Sequence, residues 1–99
     1  MKMENNINSL MISEKDSVAV ALEELNEGDA AKYKVSDEIR EIKIVQNVPI
    51  YHKFVIVDVK EGDFVYKYGQ VIGKATQDIK IGQHLHTHNI TGIREMLGD

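Results

Sequence analysis

The 99-residue sequence contains no cysteine and a single proline, Pro49. Without thiols there is no disulfide framework and no thiolate chemistry. A basic tract is also missing, and the formal net charge is −4. The electrostatic footprint of a phosphate backbone is therefore absent, and nucleic acid is not an expected partner. Met1–Met11 holds one lysine and several asparagines but no apolar core. Neither a signal peptide nor a membrane span is expected, which points to the cytoplasm. Gly62, Gly69, Gly73 and Gly82 are too dispersed for a phosphate-binding loop, and no serine has a nucleophile-elbow context. No pair of carboxylates has a spacing that argues for glycosidase-type chemistry.

What is present suits a soluble globular protein: 42% hydrophobic and 28% charged residues. The length predicts one domain, residues 1–99, with a real but thin core. Residues 1–6 are expected to be flexible and 90–99 to form a tail. Alternation predicts a strand over Val18-Ala19-Val20-Ala21-Leu22, with the valines and Leu22 on the buried face. Further strands are expected over 30–35, 41–46, 54–57, 64–68 and 71–75, with Ser36-Asp37-Glu38 as a hairpin connection. Over 64–68 the aromatic residues alternate with Val65 and Lys67. Gly73 inside its strand predicts a bulge or a close backbone approach. Pro49 removes a donor and fixes φ, so 48–53 reads as a connection. In the tail, Ile93, Met96 and Leu97 share one face of a short helical turn. The fold class is all-β, with a core including Val18, Val20, Leu22, Ile44, Phe54, Ile56, Val71 and Ile79.

Three turns have one form. Glu24-Leu25-Asn26-Glu27-Gly28-Asp29, Asp58-Val59-Lys60-Glu61-Gly62-Asp63 and Asp78-Ile79-Lys80-Ile81-Gly82-Gln83 each run acid, apolar, two variable residues, glycine, polar. The acid is expected to cap its own turn, the apolar residue to plug the core and the glycine to take φ > 0.

Three of the four histidines, His84, His86 and His88, follow the last of these turns at period two. On a strand they would share one face, about 7 Å apart. Neutral imidazoles so placed could ligate one metal ion or hydrogen-bond one anion, whereas the bland alternative is a solvated strand face.

Pro49, His52-Lys53, Asp58, Lys67-Tyr68-Gly69, Ile72-Gly73, Ala75, Asp78-Ile79, Gly82 and His84-Leu85-His86-Thr87-His88-Asn89 together resemble the small SAF-type domain of the altronate/galactarate dehydratase family. The same domain occurs as the separate small subunit of relatives such as sulfolactate sulfo-lyase. Val18 to Leu22 extends the resemblance toward the N-terminus. It implies a β-clip fold and a part in eliminating water or sulfite from a small anionic hydroxy-acid. It also implies a large catalytic subunit as partner, which would bind most of a divalent metal such as iron, manganese or zinc. The sequence departs from the family at the first motif, with Ser13-Glu14 and Ser17 where a His-Pro pair and an Asn are usual. Before the His-Lys pair it has Tyr51 where glycine is usual.

With the resemblance in hand, His52 and Lys53 are the expected catalytic residues. Lysine can neutralise a sugar-acid carboxylate, and histidine can donate to it or shuttle a proton. Lys67, Tyr68 and Asn89 are expected to contact substrate, and His84, His86 and His88 to serve a metal. The bland alternative for Tyr68 is a half-buried strand aromatic. At the level of function, a small lyase subunit competes with a free-standing module that binds a sugar acid or metal without turnover. A third possibility is a domain that only mediates assembly. Short strands with unpaired edges predict a homo-oligomer when the chain is alone.

Overall fold

Repeated corners and short apolar runs give short strands, because each glycine-closed turn redirects the chain after a few residues. The computed structural model describes residues 7–11 and 13–92. The strands are β1 (Ser9–Leu10), β2 (Val18–Ala21), β3 (Ala30–Val35), β4 (Glu38–Lys43), β5 (Lys53–Val55), β6 (Phe64–Lys67), β7 (Gln70–Ala75), β8 (His84–Leu85) and β9 (Ile90–Gly92). They form an antiparallel sheet in the order β1-β2-β5-β8, a β3-β4 hairpin and a β6-β7-β9 sheet. The described residues are all-β, as the sequence predicts. The expected helical turn at Ile93, Met96 and Leu97 and the flexible residues 1–6 lie outside the described residues. No helix among the described residues is long and apolar enough to cross a membrane.

Two apolar clusters form the core, and the β1-β2-β5-β8 sheet contributes to both. Phe54 joins Leu25, Ile44 and Val48 in one, and Val55 joins Val18, Val59, Val65, Ile79 and Leu85 in the other. A strand covered on both faces reads as a continuous apolar run rather than an alternating one. The same fact corrects the expected face of β2. Ala19 and Ala21 are buried with Val18, whereas Val20 is half-buried and Leu22 is 43% exposed. Val71 is likewise half-buried. Val18, Ile44, Phe54, Ile56 and Ile79 are buried, as expected. On β6 the valine takes the core: Val65 is fully buried and Phe64 is exposed. Opposite Val65, the close approach expected of Gly73 is present, since a Cβ there would stand 2.3 Å from the carbonyl oxygen of Thr91. The register also shifts between Val65 and Tyr66.

The three repeated turns take the expected conformation, with φ of 96°, 92° and 89° at Gly28, Gly62 and Gly82. Their apolar residues Leu25, Val59 and Ile79 are buried. The capping differs from expectation. In each turn the residue after the glycine accepts from the N–H three residues earlier: Asp29 from Asn26 at 2.8 Å, Asp63 from Lys60 at 3.1 Å and Gln83 from Lys80 at 2.6 Å. The two leading aspartates cap across instead. Asp58 accepts from the N–H of Ile81, and Asp78 from that of Glu61. Turns 58–63 and 78–83 face each other through the Val59–Ile79 bridge, which carries each acid past its own turn to the next.

A fourth turn completes the set. Residues 47–52 pair with 24–29 through a Leu25–Val48 bridge, and Asn47 accepts from the N–H of Glu27. Tyr51 stands in the glycine place with φ 68° and donates its N–H to Ala21, as Gly28 does to Ile44. The N–H of His52 reaches the carbonyl of Pro49, as that of Asp63 reaches Lys60. This left-handed backbone is the physical reason a glycine suits position 51. Asn47 and Tyr51 in place of acid and glycine hid the copy in the sequence.

Candidate functional site

Two of these turns deliver the candidate residues. Turn 47–52 leads into β5 and turn 78–83 into β8, and the two strands pair with Lys53 opposite Leu85 and Phe54 opposite His84. His52 and His84 therefore meet across the strand pair, with Nδ1 of His52 2.9 Å from Nε2 of His84. One ring must carry the hydrogen and the other accept it.

His84, His86 and His88 do not share a strand face. The strand ends at Leu85, and 86–89 turn back on themselves. Asn89 causes this. Its side chain is buried, accepts from the N–H of His86 at 3.0 Å and donates to the carbonyl of His84 at 2.8 Å. Both ends of the amide are thus committed inside the loop, and Asn89 shapes the site from below. The loop still brings the rings together. Centroids of His52 and His86 lie 4.7 Å apart with the rings nearly parallel, those of His84 and His86 5.7 Å apart, and those of His84 and His88 5.5 Å apart. All four histidines of the chain gather in one cluster. The sequence reading had His52 apart from the other three. The spacing from Val48 to His52, identical to that from Ile79 to Gln83, was the available signal.

Lysines extend the cluster. Burial first, and then the charge on Lys67, push Lys53 below the ordinary lysine pKa. Burial likewise holds His84 below the ordinary histidine value, with smaller contributions from His52, His88, His86 and Lys53. The charges acting on these two groups are all basic, so an anion entering the cluster would relieve both. Lys67 lies at the end of β6, its Nζ 4.5 Å from the centre of the Tyr68 ring. Tyr68 is in the β6–β7 turn with φ 57° and is 53% exposed, so it is not a half-buried strand aromatic. Tyr68 and Gly69 both take positive φ, the signature of the hairpin turn that suits twisted strands. Residues at the departed first motif support this hairpin. Ser17 accepts from the N–H of Tyr66, and the buried carboxylate of Asp16 accepts from those of Gly69 and Ser13.

The histidine rings are stacked rather than arranged around a common point. Among the described residues no three His, Asp or Glu side chains are placed to hold one ion. His52, His84, His86, Lys53 and Lys67 are all groups that can offer N–H donors or positive charge, the chemistry an anion would need.

Residues 7–92 match the family model described as the altronate/galactarate dehydratase SAF domain. An altronate dehydratase of Bacillus subtilis (strain 168) is 37% identical over 81 residues, which are 81% of this chain and 15% of that protein. An altronate dehydratase of Escherichia coli (strain K12) is 43% identical over 74 residues, 75% of this chain and 14% of that protein. A (2R)-sulfolactate sulfo-lyase subunit alpha of Chromohalobacter salexigens is 37% identical over 54 residues, 54% of this chain and 57% of that protein. The chain thus spans about one seventh of the length of the two dehydratases it matches.

Proposed function

Because this chain belongs to the altronate/galactarate dehydratase SAF domain family, we propose that it is the small, non-autonomous part of a metal-dependent hydroxy-acid lyase. In this reading it closes over an active site carried by a large subunit, and the substrate is a sugar acid or sulfolactate. The observation that carries the reading is the cluster itself: four imidazoles and two lysines gathered with no acidic group among the charges acting on His84 and Lys53. Lys53 and Lys67 would neutralise the substrate carboxylate, and Tyr68 would border it. His52, in contact with His84, would donate to the substrate or move a proton. Among the described residues there is no convergent set of acid, base and metal groups that would make a complete lyase site. The divalent metal, iron, manganese or zinc, is assigned to the large subunit, and His84, His86 and His88 could ligate it only after their rings reorient. Alone, the chain is proposed to form a homodimer or larger assembly through the unpaired edges of its small sheets; light scattering of a monomer at high micromolar concentration would count against this.

Reconstitution from separately purified chains tests the main reading. The expected result is no lyase activity from this chain alone, and turnover of a sugar acid or sulfolactate once the large family subunit and a divalent metal are added. His52→Ala and Lys53→Ala should lower that turnover while the complex, followed by gel filtration, stays intact. A large subunit that turns over equally well without this chain overturns the reading and leaves a free-standing module that binds without turnover.

A further inference from the structure

The four corner turns share the positive φ of the fifth residue and the closing hydrogen bond from the sixth residue's N–H to the third residue's carbonyl, and turn 47–52 departs from the other three at two side-chain caps, one made across from the facing turn to the fourth residue's N–H and one made within the turn. In three of them the sixth side chain caps the N–H of the third residue: Asp29 on Asn26, Asp63 on Lys60, Gln83 on Lys80. In the fourth the third residue is Pro49, which has no N–H to cap, and the sixth is His52. Nδ1 of a histidine is bonded to Cγ just as Oδ of an aspartate is, so an imidazole at this place could make the same cap. Here Nδ1 is instead 2.9 Å from Nε2 of His84.

We propose that Pro49 is a positioning residue for the histidine cluster: by withholding the one backbone N–H that would compete for Nδ1 of His52, it leaves that ring to His84 and His86. The conformation of the turn is not what demands the proline. Asn26, Lys60 and Lys80 hold the same place in turns that close with the same hydrogen bond to the sixth residue's N–H. In the closing turn Pro49 supplies the carbonyl, outside the central positions where its fixed φ would favour the geometry. Restoring an N–H at 49 would offer His52 a local, short-range partner in place of one reached across two strands. A net hydrogen bond is worth about a fivefold change in the ratio of the two arrangements.

The test uses the intact chain labelled with nitrogen-15 and needs no turnover, so its failure is separable from failure of the lyase reading. Pro49→Lys installs the residue found at positions 60 and 80. The expected result is a folded protein in which proton contacts between the His52 and His84 rings weaken, by up to about fivefold. Nδ1 of His52 should then show the nitrogen shift of an acceptor, and the new lysine amide should exchange slowly. A merely structural proline would alter the melting temperature and leave the ring contacts unchanged, and that result overturns the proposal. A second measurement avoids the site. Asp63→His places an imidazole opposite the N–H of Lys60, and its Nδ1 should accept from that N–H, then lose it when Lys60→Pro is added. An imidazole that ignores the Lys60 N–H would overturn the proposal, because histidine could not then make the cap.

Discussion

Replacing each turn glycine by alanine should separate two costs that coincide in a sequence motif. Gly28, Gly62 and Gly82 all have φ near 90°, and an L-residue in left-handed backbone costs about 1–2 kcal/mol. Around Gly28 and Gly62 a Cβ would meet nothing within 4 Å, so Gly28→Ala and Gly62→Ala should show that cost alone. Around Gly82 a Cβ would stand 2.2 Å from the carbonyl oxygen of Lys43 and 3.3 Å from the nitrogen of Val45. Backbone cannot swing aside as a side chain does. Relief would move turn 78–83 off its neighbours and weaken the hydrogen bonds from Gly82 N–H to Val55 and from Val45 N–H to Gly82, 2.9 and 3.0 Å long. At about 1 kcal/mol each, Gly82→Ala should cost about 3–4 kcal/mol in all. For a domain of this size those penalties correspond to melting temperatures lowered by about 10 °C at Gly28 or Gly62 and about 20 °C at Gly82. Thermal unfolding followed by far-ultraviolet circular dichroism reads the difference. A Gly82→Ala protein melting within about 3 °C of Gly62→Ala would refute the steric account.

Asn89→Ala should lower stability by about 1–2 kcal/mol, since it removes two part-buried hydrogen bonds, from the N–H of His86 and to the carbonyl of His84. Urea denaturation measures the loss, and proton spectra should show the His86 and His88 rings losing their fixed positions. The histidine cluster should also make stability pH-dependent. The folded pKa of His84 lies below the unfolded value, so the unfolded chain takes up the proton first. Stability should be full above pH about 6.5, the free-histidine pKa, and fall as the pH drops from there toward the folded value. His84→Asn should flatten that part of the curve of urea midpoint against pH, and an unchanged slope would show that His84 does not contribute.

Much of the frame was legible in the chain. Strand β3 runs over 30–35 as expected, because turn residues bound it on both sides. The three glycine turns were legible because a positive φ selects glycine whatever surrounds it. The resemblance carried by Pro49, His52-Lys53 and the histidine-rich end reached the family. Less was legible where a face had to be chosen. Val18-Ala19-Val20-Ala21 alternates in size, yet the alanines are buried, since the sheet is covered on both sides and Ala19 and Ala21 pack in the cluster of Phe54, Leu25 and Ile44.

The sequence by itself determined where the chain turns, because φ preferences and turn capping act over a few residues. Period-two spacing of His84, His86 and His88 could not reveal a loop, because Asn89 decides it through bonds to His84 and His86 that exist only once the loop is formed. Nor could it place His52, 32 residues away from His84, in the same cluster. That meeting depends on β5 pairing with β8, on two turns aiming their sixth and seventh residues at each other, and on a proline that leaves one imidazole free. Tertiary structure alone decided it, because strand pairing brings distant residues together only after the loop between them has been closed.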